Sequence, residues 1–196
     1  MSKLYALTVH VGTVAVLLGV LLAIPSVAQN ADTPTTTLTK SESIGTASVV
    51  QGSAKPTDCL RSAKEVCTFE LRGAETSIAY EGTGELTERV TIDFTKAQSS
   101  GAGICFPQLG IGTIHTSHGD YDFFNQGMTC RPPEAAGVVP GFGNTMLNSI
   151  ITGGTGRFQH ATGTLTVSVV SHPPIVTLYH TIGAFVGVQP SSQSKE

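Results

Sequence analysis

Apolar and polar residues alternate with a period of two in several stretches of this chain. In VCTFELR, Cys67, Phe69 and Leu71 fall on one face and the polar residues between them on the other. The same alternation occurs in RVTIDFT (89–95) and TLTVSV (164–169). Successive side chains of a strand point to opposite faces, so each stretch predicts a strand with one buried and one exposed face.

The longest alternating run lies near the C-terminus, and its apolar face is predicted to be buried. That face consists of Val176, Leu178, His180, Ile182, Ala184, Val186 and Val188. His180 is its only polar member. A histidine in such a position is usually a core residue hydrogen-bonded to a neighbour. The alternative is a polar group inside a ligand cavity that acts as a general acid or base.

Glycine-rich turn signals separate these runs at short intervals, and no stretch carries an apolar stripe of helical period. The sequence therefore predicts an all-β fold, a sandwich or a closed barrel. About eight strands are predicted, a number that can close a small antiparallel barrel. The segment GGTGRFQHATG (153–163) lacks the Lys-Ser/Thr pair of a phosphate-binding loop. It is predicted to be a hairpin turn that Arg157 and Phe158 anchor onto the barrel.

The N-terminus has the pattern of a cleavable export signal. The stretch from Val11 to Ile24 is apolar and uncharged, Pro25 ends it, and small residues at Ser26 and Ala28 suit cleavage after Ala28. A membrane-spanning helix needs about 20 such residues, more than this run supplies. Residues 1–28 are therefore predicted to be a signal peptide. The mature protein is expected to be secreted or periplasmic, with no attachment to a membrane.

The remaining chain divides by composition into three parts. Residues 29–42 are polar and Thr-rich and are predicted to be a flexible segment. Residues 43–189 form the predicted barrel domain, and residues 190–196 a disordered tail.

Four cysteines, Cys59, Cys67, Cys105 and Cys130, lie after the signal. An even number in an exported chain predicts two disulfides. Three pairings are possible, and the shorter loops favour Cys59–Cys67 and Cys105–Cys130.

Charge and motifs limit the partners and the chemistry. The chain has a formal net charge of −3 and no basic run, so nucleic acid and anionic membranes are not expected partners. No cofactor-binding motif is present, and no cofactor is expected. There is no GxSxG nucleophile motif, and oxidised cysteines are not thiolate nucleophiles.

One cluster has the residue types of a metal site: His115, His118, Asp120 and Asp122, in the pattern HxxHxDxD. Imidazole and carboxylate groups suit zinc or copper. However, His118 to Asp120 falls where a hairpin turn is expected, and His115 and Asp120 lie on opposite faces of a regular strand. The favoured interpretation is a turn without a metal.

Two segments together resemble a known family. They are GICFP (103–107), followed by HGD (118–120) and Cys130, and ITGGTGRFQHATGTLTV (151–167). Their order and spacing are similar to those of secreted bacterial proteins of the allene oxide cyclase barrel-like group, and plant dirigent proteins carry a similar GGTGxF turn. The resemblance implies a small antiparallel barrel with a central cavity, often self-associating. In the enzymes of this group, the cavity guides cyclisation or radical coupling of a hydrophobic substrate.

Two functions follow as hypotheses. The first is a secreted barrel that either binds a small apolar molecule or serves as a structural packing unit. The alternative is a cyclase- or isomerase-like enzyme that uses His180 with a carboxylate, Glu70 or Asp93. Both carboxylates fall on the exposed faces of their predicted strands, which is more typical of surface charges.

Overall fold

The computed structural model describes residues 38–54, 65–79, 82–101, 103–132, 143–172 and 176–189. They belong to one compact unit, Thr35–Glu196. This part of the chain contains nine strands: β1 (Leu38–Val49), β2 (Val66–Ser77), β3 (Gly82–Asp93), β4 (Gln98–Ser100), β5 (Gly103–Thr116), β6 (Gly119–Arg131), β7 (Gly143–Gly154), β8 (Thr162–His172) and β9 (Val176–Val186). Two 3₁₀ turns accompany them, η1 (Phe94–Lys96) and η2 (Gly156–Phe158).

Eight of these strands close into an antiparallel barrel. β1 pairs with β2 and with β9, and the sheet continues from β9 through β8, β7 and β6 to β5. Pairing of β3 with β5 completes the ring, while the three-residue β4 pairs only with the start of β5. Closure satisfies the backbone groups that an open sheet would leave at its edges. The all-β barrel of about eight strands is thus confirmed.

The interior follows the predicted alternation in most strands. Phe69 on β2, and Leu165 and Val167 on β8, are buried as expected. The larger core cluster includes the rings of Tyr121, Phe158 and Phe185. A smaller cluster forms around η1 and contains Cys67, Phe69, Val90, Ile92 and Phe94.

The connection between β7 and β8 closes one end of the barrel. Phe158 is fully buried, with its ring centroid 5.3 Å from that of Tyr121 and 5.9 Å from that of Phe185. Nε of Arg157 donates a hydrogen bond of 2.7 Å to the Gln189 carbonyl. The predicted turn and its two anchoring side chains are therefore confirmed.

The face assignment of β9 was wrong. Leu178 and Ile182, predicted to be buried, are 49% and 53% exposed on the outer surface. The residues that point inward are Thr177, Tyr179, Thr181, Gly183 and Phe185. The inner face is the less apolar of the two because part of the barrel interior is polar, so a count of apolar residues selects the wrong face.

The barrel begins earlier than the predicted boundary at residue 43. Residues 38–42, assigned from sequence to a flexible segment, are the first part of β1 and pair with β9 from Val186 to Ile182. Ser41 is buried there at 3% exposure. The apolar and polar alternation that predicts a strand is absent from this half-strand, because its inward residues are polar too.

A disulfide joins Cys105 on β5 to Cys130 directly opposite on β6, as predicted. Cys67 is also oxidised, and its predicted partner Cys59 lies outside the described residues. The predicted signal peptide and the C-terminal tail lie outside them too. In the described part of the chain, no helix has the length and apolar character needed to cross a membrane.

Candidate functional site

The barrel interior contains a cavity of about 70 Å³. Its walls are mainly apolar, with a smaller number of polar side chains. The described lining residues are Ala47, Leu71, Glu75, Leu86, Glu88, Gln108, Ile114, Tyr121, Phe123, Asn125, Leu147, Ser149, Leu165, Val167, Val169, Thr177, Tyr179 and Thr181. A largely apolar concave space with a few polar groups is the usual composition of a small-molecule site.

Glu75 forms a hydrogen-bonded group on one wall. The Tyr121 hydroxyl donates to its Oε1 at 2.8 Å, and the Ser43 hydroxyl donates to its Oε2 at 3.2 Å. Ser43 in turn shares a short hydrogen bond with Thr181 on β9. Glu75 itself is only 3% exposed. Buried carboxylates are stabilised by donors of this kind, so Glu75 is held in a fixed position.

Glu88 faces the cavity from β3. Its carboxylate extends over Gly110 on β5, where a β-carbon would overlap Oε1 of Glu88. Glycine at this position therefore lets the side chain reach β6, where Nδ2 of Asn125 donates a hydrogen bond of 2.9 Å to Oε1. Burial raises the pKa of Glu88 to about 7, and the bond from Asn125 opposes part of that rise.

The Tyr179 side chain, like that of Glu88, lies over a glycine of a neighbouring strand. A β-carbon at Gly45 on β1 would overlap the Tyr179 ring, so glycine provides the space that the ring occupies. Tyr179 is 6% exposed. Burial raises the pKa of its hydroxyl; the charge of Glu75, a side-chain hydrogen-bond interaction with Glu75 and the charge of Glu88 raise it further.

Two polar atoms in this cavity make no hydrogen bond of normal length and angle in the described part of the chain. They are the Tyr179 hydroxyl and Oδ1 of Asn125. Both residues are more than nine-tenths buried. Buried polar atoms are almost always hydrogen-bonded, and leaving one without a partner costs about 1–3 kcal/mol. Two such atoms in one cavity mark it as a place where a bound molecule can supply the missing bonds.

Sequence reasoning missed both cavity carboxylates, although the alternation contained the signal. Extending the Cys67, Phe69, Leu71 face by two more steps reaches Glu75, and Glu88 shares the face of Val90 and Ile92. Acidic residues on a buried strand face are unusual, which makes them candidates for function. Tyr179 was missed because the opposite face of β9 was taken as the inner one.

His180 lies on the outer surface of the barrel and does not reach the cavity. Its side chain is 43% exposed, and its Nε2 lies 3.0 Å from Oε1 of Glu42 on β1. The prediction that His180 is a core residue or a cavity residue was therefore wrong about its position. The face reversal of β9 is the cause.

Glu70 and Asp93 also lie away from the cavity. Glu70 is on the outer face of β2, with Oε1 3.6 Å from Nη2 of Arg89. Asp93 caps η1, where it accepts a hydrogen bond of 3.0 Å from the Thr95 amide. The Thr95 hydroxyl and Lys96 lower the pKa of Asp93. The structure does not bring either carboxylate together with His180.

The histidine and aspartate cluster lies on the β5–β6 hairpin. His115 and Asp120 face each other across the hairpin, with Nδ1 3.3 Å from Oδ2, rather than lying on opposite faces. His118 lies in the turn, as predicted. Asp122 accepts a hydrogen bond of 2.7 Å from Thr113. Within the described residues, no group of three or more His, Cys, Asp and Glu side chains is placed to hold a metal ion.

Comparison with known proteins identifies no relative: no protein-family model, no curated protein and no solved structure matches this chain.

Proposed function

We propose that the barrel binds one small, largely apolar molecule that has a polar group at its buried end. The observation that carries this proposal is the pair of unpartnered polar atoms, the Tyr179 hydroxyl and Asn125 Oδ1, in a cavity that is otherwise mainly apolar. Apolar walls supply the affinity of such a site, and a few polar groups orient the ligand.

The volume of the cavity limits how much of the ligand the barrel can enclose. An engineered apolar cavity of roughly 150 Å³ accepts benzene, and the present cavity is about half that volume. The enclosed part of the ligand is therefore short. Leu71, Val169 and Thr177 line the cavity but are only half-buried. The rest of the ligand extends past these residues toward solvent.

A neutral probe of matching shape tests the proposal. We expect 1-hexanol to show saturation transfer from the protein in ligand-observed NMR. Ala47→Leu should abolish the transfer, because Ala47 lines the cavity and the larger side chain fills it. Ser48→Leu is the matched control, since Ser48 is the next residue of β1 and is exposed on the outer face.

Two results would contradict the proposal. One is the absence of saturation transfer to 1-hexanol in the wild type. The other is an equal transfer in the wild type and in Ala47→Leu, because binding would then take place outside the barrel.

A second candidate function is isomerisation of a small apolar molecule, the activity that the resemblance to allene oxide cyclase-like proteins suggests. Glu88 favours it, because a buried carboxyl with a pKa of about 7 exchanges a proton readily at neutral pH. We expect slow conversion of 3-cyclohexenone to 2-cyclohexenone, with one proton removed at C2 and one added at C4. Glu88→Gln should abolish the conversion and Glu70→Gln should not; no conversion in the wild type would count against this function.

The proposed place of action is outside the cytoplasm. The Cys105–Cys130 disulfide supports this proposal, since such bonds persist in oxidising compartments. Cell fractionation of a host that expresses the full chain tests it: the mature protein should leave the cytoplasm without residues 1–28. Retention of an uncleaved chain in the cytoplasm would contradict it.

Self-association, which the resemblance implies, stays a prediction that analytical ultracentrifugation can test.

A further inference from the structure

The polar groups on the cavity wall differ in kind, and acceptors predominate among those that are not satisfied within the protein. Asn125 Oδ1 is an acceptor only, and a tyrosine hydroxyl both donates and accepts. Glu88 contributes a carboxylate. None of the described lining residues is Lys, Arg or His. A ligand that complements this wall therefore has to bring hydrogen-bond donors.

The charges around Glu88 indicate the same kind of ligand. Among the described residues, Asn125 is the hydrogen-bond donor to Glu88, and Glu88 takes part in no ion pair there. Glu88 is half-buried, and a carboxylate that is partly removed from water and has one neutral donor is poorly stabilised in its ionised form. A positive charge placed beside it compensates the lost hydration, whereas a second negative charge is repelled.

We infer that the cavity selects small apolar amines, whose ammonium group is bound by Glu88, Asn125 Oδ1 and the Tyr179 hydroxyl, over alcohols and carboxylic acids of the same chain length. This inference rests on the proposed function, because it names the polar end of the same bound molecule. The inference goes beyond the proposed function because it assigns a charge and a number of hydrogen-bond donors to the polar end of the ligand.

Ammonium, hydroxyl and carboxylate end groups differ in charge and in hydrogen-bond donors, so the polar groups of the cavity wall should bind them with different strengths. A primary ammonium carries a positive charge and three donors, in a size close to that of a methyl group. A hydroxyl has one donor and no charge. A carboxylate has only acceptors and would face Glu88 with the same sign of charge. The charge-assisted bond to Glu88 should then be about twice as strong as the neutral one.

The experiment compares 1-hexylamine, 1-hexanol and hexanoate by isothermal titration calorimetry. Because burial raises the pKa of Glu88 to about 7, the titrations are made at pH 8, where its carboxylate is mostly ionised and the amine is still protonated. We expect 1-hexylamine to bind at least about tenfold more tightly than 1-hexanol, and hexanoate to bind most weakly. Repeating the series in 0.5 M salt screens attraction of the amine to the acidic outer surface.

Variants separate the cavity from that outer surface. Glu88→Gln keeps the shape of the side chain and removes its charge. The amine should then lose its advantage, so that the two dissociation constants agree within about threefold while 1-hexanol is little affected. Glu70→Gln removes a carboxylate from the outer face of β2 and should preserve the full preference. If Glu88→Gln does not fold, the order of the three ligands on the wild type still decides the inference.

The outcomes distinguish the two proposals. Equal or tighter binding of 1-hexanol or hexanoate, lost in Ala47→Leu, would overturn the inference and support the proposed function. An amine preference that survives Glu88→Gln or disappears in salt would also overturn the inference, because the ion would then be attracted from outside the barrel. Absence of binding by all three ligands would overturn both.

Discussion

Two tyrosine hydroxyls face the same cavity but have different environments. The Tyr121 hydroxyl donates to Glu75 at 2.8 Å, whereas the Tyr179 hydroxyl makes no hydrogen bond of normal length and angle in the described part of the chain. A buried polar group stabilises the fold when it is paired and destabilises it when it is not. Tyr121 therefore supports the fold, and Tyr179 is the tyrosine whose hydroxyl the proposed ligand would contact.

Removing each hydroxyl should have different effects on stability. Tyr121→Phe should lower the free energy of unfolding by about 1–3 kcal/mol, because Glu75 loses a buried donor. Tyr179→Phe should leave stability unchanged or raise it by about 1 kcal/mol, since an unsatisfied hydroxyl disappears. Urea unfolding followed by circular dichroism measures both. An equal loss in the two variants would show that the Tyr179 hydroxyl is paired within the protein.

Glu88 should make stability depend on pH. Its pKa is about 7 in the folded protein against an ordinary value of 4.5. Between these values the unfolded chain releases the proton and the folded chain keeps it, so stability falls as the pH rises. The loss should reach about 3 kcal/mol by pH 7 and stay constant above it. Below pH 4.5 the group is protonated in both states and has no effect.

The Glu88→Gln variant tests this dependence. Its free energy of unfolding should match that of the wild type near pH 4 and exceed it at pH 8. Glu70→Gln serves as the control, because Glu70 lies on the outer surface and its contact with Arg89 is exposed. Parallel pH profiles for the wild type and Glu88→Gln would rule out the raised pKa.

At the scale of elements, η2 shows how a glycine-rich segment becomes a rigid end of the barrel. The segment brings Phe158 into the core against Tyr121 and Phe185, while Arg157 binds the Gln189 carbonyl outside. We expect Phe158→Ala to cost about 3–5 kcal/mol, because it leaves a large hole in a fully buried site. Thermal unfolding measures the loss. Gln159→Ala is the neighbouring exposed control, and a similar melting temperature for the two variants would contradict the role of Phe158.

The alternation of apolar and polar residues predicted the strands, but it did not always predict which face of a strand points into the barrel. In β2 and β8, the apolar face is the inner one, and the prediction holds for Phe69 and Leu165. In β9, the inner face carries Thr181, which borders the polar group around Glu75 and Ser43. Alternation fixes which residues share a face; the neighbouring strands decide which face points inward.

At the scale of the whole molecule, the approximate number of strands followed from the alternation and the turns, and the closed barrel was expected from that number and from the family resemblance. The cavity site did not, because it depends on cross-strand register. Glu88 reaches Asn125 only because Gly110 lies between them on β5, and these three residues are distant in sequence. Alternation within one strand contains no information about such neighbours, so a candidate pair such as His180 and Glu70 could not be tested before the register was known.

The half-strand that composition had assigned to a flexible segment lengthens the pairing of β1 with β9 in the closed barrel. Residues 38–42 pair with β9, from Val186 to Ile182, and Ser41 is buried there. The Glu42 carbonyl also accepts a hydrogen bond from the Ile78 amide. A chain that begins at residue 43 should therefore be less stable than one that begins at residue 38, by about 3 kcal/mol or more, since each lost backbone hydrogen bond costs roughly 0.5–1.5 kcal/mol.

Chemical denaturation of the two chains, both otherwise complete, measures this difference. Removal of residues 190–196, predicted to be a disordered tail, is the control and should change stability by less than about 0.5 kcal/mol. The shorter N-terminus should also weaken binding of 1-hexylamine, because β1 supports Gly45 beneath the Tyr179 ring. Equal stability of the two chains would mean that β1 from Ser43 onward is sufficient to close the barrel.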